Sequence, residues 1–503
     1  MRMHAQATRP RQTEPKPAGN SVLMHDQACG VHGEGISQKR ILAVLMLSVY
    51  MTSVGVSVLN VALPSVETGL GASNAQLQWV LSGYALTFGV ALVPAGRAGD
   101  LYGRRLLFVF GTLMFAVSCA VAGLATNATM LATARLFQGL AAGISGPQGI
   151  GLMQQYFHGG ARGKAFGWFG TTIGVAFISG PILGGLIIHL GGDGSGWRWI
   201  FLVNIPAAVL AALGALRWIP AEAEKGDRAN GRSIDLDIPG TLLVTTAMFV
   251  ILLPFTIAHQ NALWWLLIPF GACVGWGWYR WEIYYRDSGR QPMVELSLFR
   301  IKQFTHGVLI SSLYLLGTTN VWVLVALYMQ DGLGYSALAS GMMALPSAGM
   351  TILASRAVGR YVYRFGRWFV IIGLTSLLVG MAASIAVVQL HQHIATSEWW
   401  LLATLAFVGI AQGSVILPTQ TLTLDVIPID YAGSSAGVMQ TGQRIGAAIG
   451  ITLITAIAFA ILSTSDWTSA ATVGFASVGV VIACTLPLAI IDLRAAQKGI
   501  FVS

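Results

Sequence analysis

The feature that most constrains this chain is a succession of apolar segments, each about 20 residues long, separated by short polar stretches. A helix of this length crosses the hydrocarbon core of a bilayer, and in lipid it pairs all of its own backbone polar groups. We therefore predict membrane-spanning helices. Fourteen spans are expected, near residues 41–63, 77–96, 106–125, 129–150, 165–190, 198–217, 239–258, 262–281, 304–329, 338–357, 368–390, 399–420, 436–462 and 469–491.

The composition excludes an ordinary soluble protein. Of the 503 residues, 10% are charged and 55% are hydrophobic, and the mean hydropathy is +0.68. Soluble domains contain about 25% charged residues. The net charge of +9 is spread as short clusters between apolar segments, which argues against a nucleic-acid partner. The fold class predicted is an all-α integral membrane protein whose surroundings are the lipid bilayer.

The positions of the basic residues predict the orientation. Cytoplasmic loops carry an excess of Lys and Arg. If the N-terminus is cytoplasmic and the loops alternate, most of the 29 Lys and Arg residues fall on the cytoplasmic side. An even number of spans, with both termini cytoplasmic, is therefore expected for a protein of a bacterial inner membrane.

A weak internal repeat predicts the domain organisation. The string from Gly96 to Arg105 and the string from Gly359 to Arg367 both place Gly-Arg seven residues after a glycine, eight spans apart. Two six-helix bundles with two inserted helices explain this offset. The predicted parts are a disordered cytoplasmic tail (1–38), an N-terminal bundle (39–218), a cytoplasmic loop with two inserted helices (219–302), a C-terminal bundle (303–492) and a cytoplasmic tail (493–503).

The first candidate functional string follows the second span and reads Gly96-Arg-Ala-Gly-Asp100-Leu-Tyr-Gly103-Arg104-Arg105. Its glycines permit a tight turn. Asp100 can cap the next helix or pair with a neighbouring arginine. The two arginines are expected to anchor at the lipid headgroups.

The fourth and fifth spans carry two further strings. Arg135 lies in mid-membrane with Gln138 and Gly139 after it, and an arginine at that depth is expensive and usually functional. The fifth span carries a predicted proline bend with glycines that allow close helix approach. Its residues are Gly180, Pro181, Gly184 and Gly185.

Together these strings resemble the major facilitator superfamily over residues from about 41 to 492. The string from Trp197 to Pro206 resembles its fourteen-span drug:proton antiporter branch, which contains multidrug efflux permeases. The resemblance implies export of small amphipathic compounds, drugs or metabolites, by alternating access coupled to protons. It also implies that the Gly96–Arg105 loop latches one conformation, that Arg135 takes part in proton transfer, and that Gly180–Gly185 is the antiporter motif.

One departure from the branch leaves the coupling open. The string from Asn60 to Pro64 is present, but Gly55 stands where the branch has an aspartate. No acidic residue lies deep inside a predicted span, although such a carboxylate is the usual proton carrier. A proton-independent uniporter or exchanger of neutral or anionic compounds is therefore the alternative. His306 could titrate near neutral pH, and Arg135 and Arg444, if both face the cavity, would favour anionic or neutral substrates.

The substrate is expected to bind between the bundles near mid-membrane, in a largely apolar and aromatic cavity. The candidate cavity residues are Gly55, Asn60, Trp79, Tyr84, Asn320, Gln330 and Arg444.

Other classes of function find less support. A non-transporting receptor or sensor would need a soluble signalling domain, and an enzyme would need a catalytic or nucleotide-binding pattern that the sequence lacks. No metal or cofactor is expected. A periplasmic adaptor protein stays open as a partner.

Overall fold

The computed structural model describes residues 34–192, 195–220, 237–257, 262–290, 292–394 and 397–497. Within these residues every regular element is helical. The N-terminal helices are α1 (Glu34–Leu70), α2 (Asn74–Tyr102), α3 (Arg104–Gly123), α4 (Ala128–Tyr156), α5 (Gly159–Gly191), α6 (Gly196–Leu202) and α7 (Asn204–Trp218). Next come α8 (Ile238–Leu252), α9 (Pro254–Ile257) and α10 (Leu267–Asp287). The remaining helices are α11 (Lys302–Leu327), α12 (Ala337–Met342), α13 (Leu345–Phe365), α14 (Trp368–Ile394), α15 (Leu401–Asp425), α16 (Ala432–Leu462) and α17 (Trp467–Gln497).

Every predicted span falls on a helix, and in the described residues ten helical segments are long and apolar enough to cross a membrane. The predicted spans near 129–150, 239–258, 262–281 and 338–357 are not among these ten. They fall on α4, α8, α10 and α13. Helix α4 is less apolar because it carries Arg135 and several glutamines, and α8 is short.

The predicted boundaries of the tails differ from the structure where it describes them. Helix α1 begins at Glu34, inside the predicted tail 1–38, and α17 continues to Gln497, inside the predicted tail 493–503. The remaining residues of both tails lie outside the described residues, as does most of the predicted loop after α7.

Two bundles, α1–α7 and α11–α17, build the fold, and each has its own apolar core. Trp197 and Phe115 are almost completely buried in the first bundle, and Tyr314 and Phe475 in the second. A further apolar cluster joins the bundles at the end where α2 leads into α3. We call this the basic end of the molecule, because Arg104, Arg105 and Arg162 lie there.

Two helix pairs form the seam between the bundles. Helix α2 packs against α16, and α5 packs against α13. Their backbones approach closely at glycines: a Cβ atom added to Gly359 of α13 would lie 2.7 Å from the Cα atom of Gly167 in α5. Small residues permit such approach because dispersion contacts, rather than the hydrophobic effect, hold helices together in lipid.

The inserted helices α8 and α10 pack against each other and cover one side of the seam. Val244 of α8 shares a small apolar cluster with Val93 of α2, and Val438 of α16 packs against the same cluster. The insertion therefore touches both bundles at the α2–α16 pair.

We expect Gly359→Ala to destabilise the protein by about 1–3 kcal/mol, because the added methyl group meets the backbone of Gly167 and the carbonyl of Gly163, neither of which can rotate away. The melting temperature of the purified protein in detergent measures this. Gly349→Ala on the same helix is the control, since a Cβ atom there meets nothing within 4 Å and alanine favours a helix over glycine by about 0.5–1 kcal/mol. Equal effects of the two changes would contradict the close seam.

Candidate functional site

The Asp100 carboxylate joins the two bundles at the basic end. It is buried at the end of α2 and accepts hydrogen bonds from the backbone N–H groups of Gly433 and Ser434, both at 2.8 Å. These amides open α16, where the positive end of the helix dipole favours an anion. Arg104 pairs with the same carboxylate at 2.8 Å. We call this group of four residues the latch.

The latch differs from what the sequence predicted for two of its residues. The ion pair between Asp100 and a neighbouring arginine is present, but the helix that Asp100 caps is α16 rather than the next helix, α3. Arg104 was expected at the headgroups and is instead buried, donating to Gln155 at 2.9 Å and to the carbonyl of Ile429. Arg105 does not join the latch and donates to the carbonyl of Leu216.

Glycines shape the latch. Gly103 separates α2 from α3 with a φ of 102°, a value that side chains disfavour, so the chain can turn there without strain. Gly96 lies directly against the backbone of Gly433, where a Cβ atom would collide.

A second ionic contact closes the basic end on the other side of the seam. Arg162, near the start of α5, pairs with Asp425 at the end of α15. Arg162 also donates to the carbonyls of Phe157 at 3.0 Å and Gln154 at 3.1 Å, which fixes its direction. Two ionic contacts thus tie the bundles together at the basic end, one joining α2 to α16 and the other joining α5 to α15.

Farther from the basic end, four side chains form a continuous stack across the two bundles, which we call the arginine–aromatic stack. The Arg135 guanidinium lies 4.3 Å from the centroid of the Tyr84 ring. Tyr84 and Phe88 stack with centroids 6.1 Å apart and an interplanar angle of 22°. The Arg444 guanidinium of α16 lies 4.3 Å from the Phe88 centroid. Cations favour the faces of aromatic rings, so each arginine stabilises its neighbour.

The two arginines of the stack differ in their surroundings. Arg135 is only 2% exposed, donating to the carbonyl of Val80 at 3.1 Å and to Gln138 at 2.5 Å. Gln138 in turn donates to the sulfur of Cys119 at 2.9 Å. Arg135 thus ties α4 to α2, and the condition that both arginines face a cavity is not met in this structure. Arg444 is exposed.

Gly139, the third residue of the Arg135 string, has a packing role. A Cβ atom there would collide with the carbonyl of Tyr84, so glycine lets α4 approach α2 closely enough for the arginine to reach its ring.

The antiporter-motif glycines serve contacts inside the N-terminal bundle. Gly180 and Gly184 of α5 lie against Ser57 and Val58 of α1. A Cβ atom at Gly185 would meet nothing within 4 Å. Helix α5 continues through Pro181, whose side chain lies outside the described residues.

The structure brings only Tyr84 and Arg444 of the predicted cavity residues together. Asn320 is fully buried inside the C-terminal bundle, where it donates to the carbonyl of Leu316 at 2.6 Å, so its predicted place in the cavity is wrong for this conformation. Gly55 faces Phe115 within the N-terminal bundle. The other placements are Trp79, half-buried near the start of α2; Gln330, half-buried in the π-helical turn after α11; and Asn60, whose side chain lies outside the described residues.

Sequence reasoning missed Phe88 and the two partners of His306. Phe88 lies one helical turn after Tyr84, and that i, i+4 spacing was the available signal. The partners complete a triad in the C-terminal bundle: the buried Asp492 of α17 lies 3.2 Å from the half-buried His306 of α11 and pairs with Arg367. Its signals were the repeated basic string that contains Arg367 and the acid just after the last predicted span.

Comparison with known proteins identifies the family. Residues 45–451 match the sequence profile described as Major Facilitator Superfamily. The chain belongs to that superfamily. It is 30% identical over 425 residues to the probable actinorhodin transporter of Streptomyces coelicolor, a match that covers 84% of this chain and 72% of the relative. It is also 30% identical over 453 residues to the puromycin resistance protein pur8 of Streptomyces alboniger, covering 88% and 86%.

Solved structures support the same fold. The human organic anion transporter MFSD10 superposes with a TM-score of 0.65 at 14% identity, covering 90% of this chain and 99% of that one. The proton:xylose symporter XylE superposes with a TM-score of 0.64 at 16% identity, covering 90% and 95%. At these identities the likeness concerns the fold alone. The superfamily assignment makes this protein a transporter and not an enzyme.

We expect Asp100→Asn to loosen the basic end, because it removes the charge that both Arg104 and the start of α16 stabilise. Hydrogen bonds to charged groups contribute about 1.5–3 kcal/mol, so amide exchange at residues 433–437 should speed up by about tenfold or more. Hydrogen–deuterium exchange measured by mass spectrometry follows this segment. Asp287→Asn, which removes an exposed pair with Arg286, is the control and should leave the segment unchanged. Unchanged exchange in Asp100→Asn would show that the latch does not hold α16.

Proposed function

We propose that this transporter exports small amphipathic compounds, drugs or metabolites, from a bacterial cell by alternating access. The observation that carries the proposal is the arrangement of the seam: two bundles tied together at one end, with an exposed arginine of α16 stacked against α2 farther along. The names of the relatives, a probable actinorhodin transporter and a puromycin resistance protein, support export.

In this proposal the basic end faces the cytoplasm and both termini lie on that side, in keeping with the excess of basic residues there. The structure then represents a state closed to the cytoplasm. Breaking the latch and the Arg162–Asp425 pair would admit substrate from inside the cell. Because a bistable seam switches between discrete packings, both ionic contacts would break together.

We also propose fourteen spans. The four helices outside the set of ten, α4, α8, α10 and α13, pack among the long helices rather than apart from them. Helix α4 contacts α2 and α3, and α13 contacts α5 and α15, so each lies against two helices of the spanning set. Helices α8 and α10 form an antiparallel pair that keeps the number of spans even.

Proton coupling is part of the proposal and needs a titrating group. In the described residues no carboxylate pairs with Arg135 or Arg444. The best-placed group is the His306–Asp492–Arg367 triad, because an imidazole can take up a proton and the triad links α11, α17 and the turn before α14. A proton on His306 would strengthen its bond to Asp492 in competition with Arg367.

Proton-independent exchange is the alternative, favoured by the missing carboxylate beside the stack. A periplasmic adaptor protein is a further proposed partner.

Reconstitution tests the function. Purified protein in liposomes preloaded with a panel of fluorescent amphipathic dyes should release dye faster than protein-free liposomes, and an imposed pH gradient should change the rate. If no dye is released faster than from empty liposomes, the export proposal fails. If release is faster but insensitive to the gradient, proton-independent transport is correct.

We expect His306→Gln to abolish most of the response to the pH gradient while dye release without a gradient stays within about twofold of the parent, because glutamine keeps a hydrogen bond to Asp492 but cannot titrate. His391→Gln is the matched control: His391 also lies beside an acid, Glu398 at 3.4 Å, but at the opposite end of the molecule. An unchanged gradient response in His306→Gln would place the coupling elsewhere.

A further inference from the structure

Arg444 lies deep in the molecule, about 18 Å along α16 from its first residue at a rise of about 1.5 Å per residue. Its guanidinium covers the Phe88 ring, and the tip of that ring lies 3.9 Å from the position of a Cβ atom on Gly146 in α4. The charged group therefore faces α2 and α4 of the opposite bundle rather than lipid. It is exposed, so the space beside it between the bundles is open to small molecules.

The hydrogen-bonding capacity of Arg444 is unused. A guanidinium carries five N–H donors in a rigid fork. In the described part of the chain, its only directional contact is the one with the Phe88 ring. Arg135, at the other end of the same stack, donates to two oxygen atoms of the protein.

A second unused donor lies one helical turn away. The amide of Gln440 is on the same face of α16 as Arg444, and its oxygen lies 3.5 Å from the Cβ position of Gly146. Its Nε2 atom is buried and has no hydrogen-bond partner among the described residues. A buried donor without a partner costs about 1–3 kcal/mol, which a ligand acceptor would recover.

No counter-ion offsets the Arg444 charge. None of the ion pairs of the described residues includes it, and the aromatic rings of Tyr84 and Phe88 supply only weak compensation. A charged side chain at this depth normally pairs with another group of the protein or faces a water-filled cavity. Here the side chain is exposed, and no ionic partner is present among the described residues.

We propose that Arg444 and Gln440 form the recognition site for an acidic group of the transported compound, a deduction that rests on the proposed export function and adds the substrate class to it. The guanidinium fork matches a carboxylate with two parallel N–H···O bonds, and the Gln440 amide supplies a third donor. Arginine also stacks on aromatic rings, and one face of Arg444 is already covered by Phe88. The preferred substrate is a planar aromatic compound that carries a carboxylate or an ionised phenol.

A set of three probes with one fluorophore tests the substrate class: coumarin-3-carboxylate, its primary amide, and its trimethylammonioethyl amide. Release from proteoliposomes should be fastest for the carboxylate. Arg444→Gln should slow release of the carboxylate by about tenfold or more, while release of the amide stays within about twofold, since only the acid loses a charge-assisted bond. Arg444→Lys keeps the charge but loses the guanidinium fork, so its release of the carboxylate should be slower than in the parent and faster than in Arg444→Gln.

Arg280→Gln is the matched control. Arg280 lies 5.4 Å from the Trp276 ring on α10, so this substitution removes an arginine–aromatic contact outside the seam. Release of all three probes should stay unchanged. If the parent releases the amide or the cationic probe at least as fast as the carboxylate, the proposed recognition site for an acidic group is contradicted, whereas the export proposal is still supported. If the parent releases none of the probes, both proposals fail. The comparison of probes on the parent does not depend on the folding of any variant.

Discussion

A charged group inside a bilayer must find its partners within the protein, and this chain places several of its charged groups where its two bundles meet. Asp100 and Arg104 join α2 to the start of α16, Arg162 reaches Asp425, and Arg444 covers an aromatic ring of α2. The glycines of the seam serve these contacts, because the charged groups of opposite bundles meet only where the helices approach closely. These charged contacts therefore fix how α2 and α5 of one bundle pack against the other bundle, and they are the contacts that must break if the bundles separate at the basic end.

The contacts at the basic end combine strength with reversibility. Asp100 accepts two backbone N–H bonds at the start of α16, where the helix dipole adds to its stability, and Arg104 donates the other bonds from its own side of the seam. When such a seam opens, the amides and the carboxylate become accessible to water, which replaces most of what is lost. In the proposed cycle the closed state would thus be favoured by a modest margin, and two states that differ by a few kcal/mol can both be populated.

The sequence predicted the helices and the importance of individual charges, but not their partners. Hydropathy placed a span on each helix, and the cost of a mid-membrane arginine singled out Arg135 and Arg444. The partners depend on contacts between residues more than 300 positions apart, as between Asp100 and Gly433, and no local pattern encodes these. Asn320 shows the converse error: a polar residue in a span can donate a hydrogen bond to its own helix, here to the carbonyl of Leu316, and need not face a cavity.

The stack of two arginines and two rings also gives a physical reason why substrate affinity would change during transport. Phe88 belongs to one bundle and Arg444 to the other, so separation of α2 from α16 at the basic end would withdraw the ring from the guanidinium. A ligand can shift a conformational equilibrium only by its difference in affinity between the two states. With Phe88 in place, one face of the Arg444 guanidinium is covered by the ring. With Phe88 withdrawn, the same guanidinium would be free to take an aromatic acid on either face. The seam that closes the transporter would then also set how tightly it holds an acidic compound.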